Sequence, residues 1–308
     1  MKIQPIYVSV IIPTYNRKHC VGQAIESVLN QTYRNYELIV IDDASTDGTP
    51  EWVKNTYLGV ERCCPLQLVC LPSNRGAAAA RNEGIRVAQG ELIAFLDSDD
   101  RWEPEFLEMQ VKTLQENTDA ILTYCNYTEI QKNGTQFKHN LKPWKIYPDF
   151  THHLLMENVI HSMSLVIIRR EALMQTGLLN ESLKICHDRE LYLRLLRIGK
   201  IVHTPQELVI KIMHEDNLVG NYRCWAKEIL MVIDIFFADE SNLTYKRLER
   251  EARSYATRKL AKLVWQCEQD VLFTMEMFFK SVYFYPPVIY RGLLKRWQAI
   301  IYKIKVNP

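Results

Sequence analysis

The stretch LIAFLDSDDRWEP, residues 92–104, passes from an apolar run straight into Asp97, Asp99 and Asp100. Like charges this close repel, so something cationic must sit among them. In an extended segment residues i and i+2 point the same way, which would aim Asp97 and Asp99 at one spot while Ser98 faces away. A hard divalent ion such as Mg²⁺ or Mn²⁺, held by one or two carboxylates and completed by ligand phosphates, resolves that repulsion. The competing reading is a turn that caps a helix beginning around Pro104, a task short acidic side chains perform well.

Other polar groups stand at comparable places. Asp42 and Asp43 in VIDDAST offer acceptors for a base N–H or a ribose hydroxyl, and Tyr15 in PTYN offers a ring to stack on. SNRGAAAARN supplies Arg75 and Arg81 for phosphates, and small residues that let a ligand approach the backbone. The bland alternatives are a turn for the aspartates, solvated helix positions for the arginines, and close helix packing for the alanines.

The elements that must hold these groups alternate. YVSVII, ELIVI, LQLVCL and ELIAFL read as strands, and the segments between them carry helical patterns, such as Val21, Ala24, Ile25 and Val28 on one face. This is the signature of βαβ units and a largely parallel sheet. PTYN, DDAS, SNRG and DSDD each follow a strand, so all four fall on the edge where open α/β sheets bind ligands. After Asn117 the strands become less regular: AILTYCNY, a turn at Lys132-Asn133-Gly134, then SLVIIRR. HDRELYLRLLRIG reads as a strong helix, and the text is helical from about Asn221 onward.

With 308 residues, 47% of them hydrophobic, the chain can bury a substantial core. Its 38 basic and 36 acidic residues leave a formal charge of +2, which gives no global reason to expect nucleic-acid binding. The eight cysteines show no CxxC pair or zinc spacing and are expected as reduced thiols. No apolar stretch approaches the roughly 18 residues of a membrane span, so a cytoplasmic protein is expected.

VSVIIPTYNR, QTYRNYELIVIDDASTDGT, NRGAAAARNEGIRVAQGELIAFLDSDD and HDRELYLRL resemble the successive blocks of family 2 glycosyltransferases with the GT-A fold, across roughly residues 7–217. The resemblance implies an α/β fold of GT-A type, a mostly parallel central sheet flanked by helices. A domain of residues 1–220 is expected, with a nucleotide-binding half up to about 117 and an acceptor half after it. Residues 221–308 would form a helical C-terminal extension.

The resemblance further implies a nucleotide-sugar donor, most often UDP-linked, an inverting transfer, and Mn²⁺ or Mg²⁺ as cofactor. Pro13, Thr14, Tyr15 and Asp43 would hold the nucleoside, Asp97 and Ser98 the ribose or metal side, and Asp99 the metal itself. Asp188 in CHDRELYLRL matches the family's catalytic aspartate, the base for the acceptor hydroxyl. A first-turn helical position is expected to depress its pKa through the macrodipole. His187 stands where the family commonly has glutamate, and His214 in IMHEDN where relatives often place a histidine near the diphosphate or metal.

The acceptor is expected to be a saccharide or a lipid-linked glycan, as in bacterial surface-glycan assembly. The last stretch, KSVYFYPPVIYRGLLKRWQAIIYKIKVNP, is basic and amphipathic, suited either to peripheral contact with an anionic membrane at its cytoplasmic face or to packing on the enzyme. Its KRW lacks the QxxRW of processive synthases, because Leu293 occupies the glutamine position; transfer of a single sugar is expected. The rival classes are a sugar-nucleotide nucleotidyltransferase, for which no glycine-rich signature is present, and a catalytically silent nucleotide-binding scaffold.

Overall fold

The computed structural model describes residues 5–60, 64–141, 149–213, 222–267 and 269–284. They fall into two compact units, one within 1–154 and 158–220, the other within 155–157 and 221–308.

In the first unit, β1 (Val8–Thr14), β2 (Tyr36–Asp42), β3 (Leu66–Cys70) and β4 (Leu92–Phe95) run parallel in the spatial order β3-β2-β1-β4. Every residue of β1 and β2 is buried, as continuous Val/Ile runs require when both sheet faces are covered. The crossovers are α1 (Val21–Leu29), α2 (Thr49–Tyr57) and α3 (Ala77–Val87). In α1 the buried face is Val21, Ala24, Ile25, Val28 and Leu29, in keeping with the helical spacing of the sequence.

The chain then adds β5 (Asp100–Trp102), α4 (Phe106–Glu116), β6 (Ala120–Ile130), β7 (Gln136–His139), α5 (Phe150–Met156), β8 (Val166–Arg169), α6 (Arg170–Thr176), α7 (His187–Leu195) and β9 (Lys200–Ile212). These strands extend the sheet in the order β4-β8-β6-β9-β5, with β7 paired to β6. Here the sheet is mixed: β8 lies antiparallel between β4 and β6, β6 parallels β9, and β5 is antiparallel to β9. The expected parallel arrangement is thus carried by the first four strands. β9 was not among the expected strands; Pro205 interrupts its pattern, and pairing with β6 passes from Thr204 to Glu207 through a bulge.

Small residues bring α3 hard against β1. Ala78, Ala79 and Ala80 are buried, which favours the packing account of the alanines, and a Cβ on Gly84 would come within 2.5 Å of Ile11 Cγ2. After α3, the Gly90 N–H donates to Ser9 Oγ (2.8 Å), and Ser9 donates to the buried Glu37 carboxylate (2.6 Å), which also accepts the Gln89 N–H (2.7 Å).

The second unit contains α8 (Tyr222–Ala238), a 3₁₀ segment (Glu240–Leu248), α9 (Glu249–Cys267) and α10 (Val271–Phe284). Its core joins Ile229, Val232, Ile233 and Phe236 with Ala252, Ala256, Leu260 and Val264. None of the described helices is long and apolar enough to cross a membrane. The basic tail beyond Phe284 and His214 lie outside the described residues.

Gly90→Ala should destabilise the first unit by about 1–3 kcal/mol, the usual cost of overpacking, because the new Cβ would meet the Ser9 backbone nitrogen at 2.5 Å. Urea unfolding of the variant should show a lower midpoint; an unchanged one would mean that the backbone relaxes there freely.

Candidate active site

β4 stops at Phe95, and the aspartates follow in a tight turn closed by the Asp100 N–H donating to the Asp97 carbonyl (3.0 Å). The extended i, i+2 geometry expected for Asp97 and Asp99 is therefore corrected: a turn, not strand alternation, sets their directions. Ser98 is buried within it.

Each aspartate faces a cation of its own. The Arg81 guanidinium binds Asp97 Oδ1, Asp99 Oδ2 lies 4.0 Å from Arg17 Nη2, and Asp100 Oδ2 lies 3.6 Å from Lys211 Nζ. Repulsion within the cluster is thus opposed by α3, the β1–α1 loop and β9. This corrects the expectation that its relief waits for a donor and metal.

Two serines refine the arrangement. Ser162 donates to Asp97 Oδ2 (3.0 Å), while Ser164 donates to Asp100 Oδ2 (2.6 Å) and accepts the Asp97 N–H (3.0 Å). Burial alone would raise the Asp97 carboxyl, but Arg81, Lys211 and the Ser162 hydroxyl outweigh it and hold the group below its usual range. Burial pushes the Asp100 carboxyl upward, with the neighbouring Asp97 and Asp99 charges adding to the shift against Lys211. Lys211 stays charged because the three carboxylates more than offset its desolvation.

Arg81 also reaches the other half of the site. Its Nη1 lies 3.0 Å from His187 Nε2. A guanidinium can only donate, so this contact makes Nε2 the acceptor of a neutral imidazole. His187 therefore presents an uncharged acceptor to Arg81. Arg81 Nε is buried and has no hydrogen-bond partner among the described residues.

Next to His187, Asp188 is buried at the start of α7. Its Oδ2 accepts from Asn158 Nδ2 (3.0 Å) and its Oδ1 from the Arg189 N–H (2.6 Å). Burial raises the Asp188 carboxyl, and the Arg189 N–H, Asn158 and the Arg81 and Arg189 charges only partly counter it. The expected depression by the helix macrodipole is corrected: desolvation is the larger effect here.

At the ends of β1 and β2, Pro13 and Thr14 are buried and Tyr15 is 45% exposed. Thr14 and Asp42 are register partners, and Thr14 Oγ1 and Asp42 Oδ1 are buried without a hydrogen-bond partner among the described residues. The other Asp42 oxygen accepts the Ser45 N–H (2.9 Å). Asp43 accepts the N–H groups of Arg75 (2.8 Å) and Gly76 (2.7 Å), so its carboxylate shapes the loop entering α3. The Arg75 guanidinium is paired with Glu181 at 2.7 Å.

Among the described residues no three His, Cys, Asp or Glu side chains are grouped as a metal-ligand set. The donor chemistry still fits one hard ion. The Asp99 side chain keeps 21% of its exposure, and Mg²⁺ or Mn²⁺ can be held by a single carboxylate together with substrate phosphates and water. Arg17, Asn158, Ser162, Ser164 and Lys211 were not anticipated. Only Lys211 carried a sequence signal, a lone cation within the apolar run LVIKI, which opposes Asp100 across the β5–β9 ladder.

Arg81→Met should cost about 3 kcal/mol, the low end for breaking a buried ion pair, since Asp97 retains 27% of its side-chain exposure. Adding Asp97→Asn should recover part of that loss in a double-mutant cycle; strictly additive urea midpoints would show that the pair is not coupled.

The sequence model described as "Glycosyl transferase family 2" matches residues 9–177. TuaG of Bacillus subtilis (strain 168), whose name makes it a candidate glycosyltransferase of teichuronic acid biosynthesis, is 32% identical over 216 residues, covering 70% of this chain and 81% of that protein. WfgD of Escherichia coli is named a UDP-Glc:alpha-D-GlcNAc-diphosphoundecaprenol beta-1,3-glucosyltransferase. It is 40% identical over 151 residues, 49% of this chain and 55% of its own length. The chain spans about half to two thirds of several other curated relatives it matches. Among solved structures, the mannosyltransferase PcManGT from Pyrobaculum calidifontis, in complex with GDP-Man and Mn²⁺, superposes with a TM-score of 0.65 at 20% identity over 95% of this chain and 79% of that one. S. aureus TarS 1-349 in complex with UDP-GlcNAc gives 0.62 at 19% identity over 90% and 80%. At such identities these two likenesses speak for the fold alone. A family match over more than half of the chain, joined to a relative this similar over most of both lengths, carries the assignment: the chain belongs to glycosyl transferase family 2, and it is a glycosyltransferase.

Proposed function

We propose that this chain transfers one sugar, with inversion, from a UDP-sugar to a saccharide or lipid-linked acceptor during bacterial surface-glycan assembly at the cytoplasmic face of the membrane. The observation that carries the reading is Arg81, whose single guanidinium joins Asp97 on the donor side to His187, the neighbour of Asp188. The UDP donor and the glycan acceptor draw on the names of WfgD and TuaG.

The nucleoside of the donor sits at the ends of β1 and β2, by Pro13, Thr14 and Asp43. Tyr15 stacks on the base, and the Asp43-braced loop holds the ribose side. When bound, a Mn²⁺ or Mg²⁺ ion on Asp99 supplies positive charge for the diphosphate. On the opposite face of the sugar, Asp188 takes the proton of the acceptor hydroxyl as its oxygen bonds to the anomeric carbon and the bond to the diphosphate breaks. Asn158 holds the Asp188 carboxylate for that transfer. A raised pKa makes it a stronger base than an exposed aspartate.

Asp188→Asn should lower kcat by about 10²–10⁴-fold, the range for loss of a positioned base, while protection from heat by the nucleotide-sugar and Mn²⁺ persists. Because the ionised form is the base and burial raises its pKa, wild-type kcat should climb with pH along a limb above the ordinary carboxylate range. A panel of sugar nucleotides scored for nucleotide release checks both. Normal turnover in the variant would remove Asp188 as the base, and release from no donor would remove the donor assignment.

A further inference from the structure

An open cavity of about 590 Å³ lies on the outer side of α1, lined by none of the residues assigned above to the donor. The α1 helix contributes Gln23 and Glu26, Asn30 follows at its C-terminal cap, and α2 contributes Trp52 and Tyr57. β5 closes the cavity with Arg101. Its volume lies within the range of small-molecule sites, and its mixture of ring surface and a few polar groups is the usual composition of one.

Two features make this a built pocket. Gly22 holds Trp52 close: a Cβ there would meet Trp52 Cη2 at 2.6 Å, so only glycine lets the indole lie against α1. Tyr57 braces the same indole edge-on at 5.6 Å between centroids. A half-buried tryptophan face held in place this way is a platform for the apolar C–H face of a pyranose ring, with side-chain amides and a carboxylate on α1 at hand for its hydroxyls.

The second feature is charge. Arg101 is half-buried, its Nε is buried without a hydrogen-bond partner, and no ion pair engages its guanidinium among the described residues. Arg81 and Arg17 differ in this, each having a carboxylate beside it, Asp97 and Asp99. Lys18 adds a second cation to the lining, against the single carboxylate of Glu26. A planar guanidinium fork matches a carboxylate or a phosphate.

We propose that this cavity is a secondary saccharide site for an anionic pyranose, a sugar bearing a carboxylate or a phosphate, stacked on Trp52 with its charge on Arg101. It would hold a charged residue of the growing glycan away from the point of transfer. The inference rests on the reading of the chain as an enzyme that extends a glycan.

The test uses ligand-observed NMR on the full chain without donor, with methyl glucuronide, glucose 6-phosphate, methyl glucoside and UMP as probes. The expected result is saturation transfer to one or both anionic sugars, little to methyl glucoside, and at least a fivefold loss of signal in both Trp52→Leu and Arg101→Gln. Methyl glucuronide and glucose 6-phosphate separate the carboxylate from the phosphate source. Absence of transfer to either anionic sugar, equal transfer to methyl glucoside, or signals unchanged in both variants would overturn the proposal, as would UMP displacing the sugars. Heat protection by the nucleotide-sugar is measured on the same samples. Its loss in wild type would mark failure of the transfer reading, whereas its survival with no sugar signal would mark failure of this site alone.

Discussion

Everything at the mouth of this sheet depends on holding three carboxyl groups within four residues of backbone against their mutual repulsion. An isolated cluster of that kind would protonate or push itself apart. Here Arg81, Arg17 and Lys211 approach from three elements distant in sequence, so holding the turn together and holding the fold together become one task. The ion pairs need not stabilise the protein in net terms, because desolvating charges offsets much of the Coulomb gain. What they supply is geometry: a turn whose side chains have fixed partners before any ligand arrives.

α3 is the element through which this geometry is shared. Its alanines and Gly84 let it lie directly on β1, which brings Arg81 under the turn. One residue on, Asn82 exchanges hydrogen bonds with the backbone of Leu179, donating to its carbonyl and accepting its N–H, both at 2.9 Å. The helix between β3 and β4 therefore holds the segment that leads into α7, and Arg81 completes the connection at His187. Removing either small side chains or the arginine would loosen both halves of the site at once.

Much of this was legible along the chain. The apolar runs of β1 to β4, the helical face of α1 and the polar ends of four strands follow from periodicity and turn chemistry, which are local properties. The pairing of Arg81 with Asp97 and of Asp43 with the loop entering α3 joins segments that the parallel topology places on one sheet edge. The mixed half was harder to read. β5 is three residues long, and β9 carries Pro205 and a bulge, so neither shows a clean alternation. Ser162, Ser164 and Asn158 gave no signal, because a serine or asparagine in a loop is unremarkable until its partner is known.

Local patterning along the chain set the order of β1 to β4 and their crossover helices and pointed to an α/β class, since each depends on residues near one another in the chain. The tertiary structure decided which charge answers which. Lys211 became the counterpart of Asp100 only through antiparallel pairing of β5 with β9, and Arg81 became a bridge only once α3 and α7 met. It also reversed the sign of the shift at Asp188, because burial is set by what packs around a residue, whereas the helix position visible in sequence accounts for the weaker of the two effects.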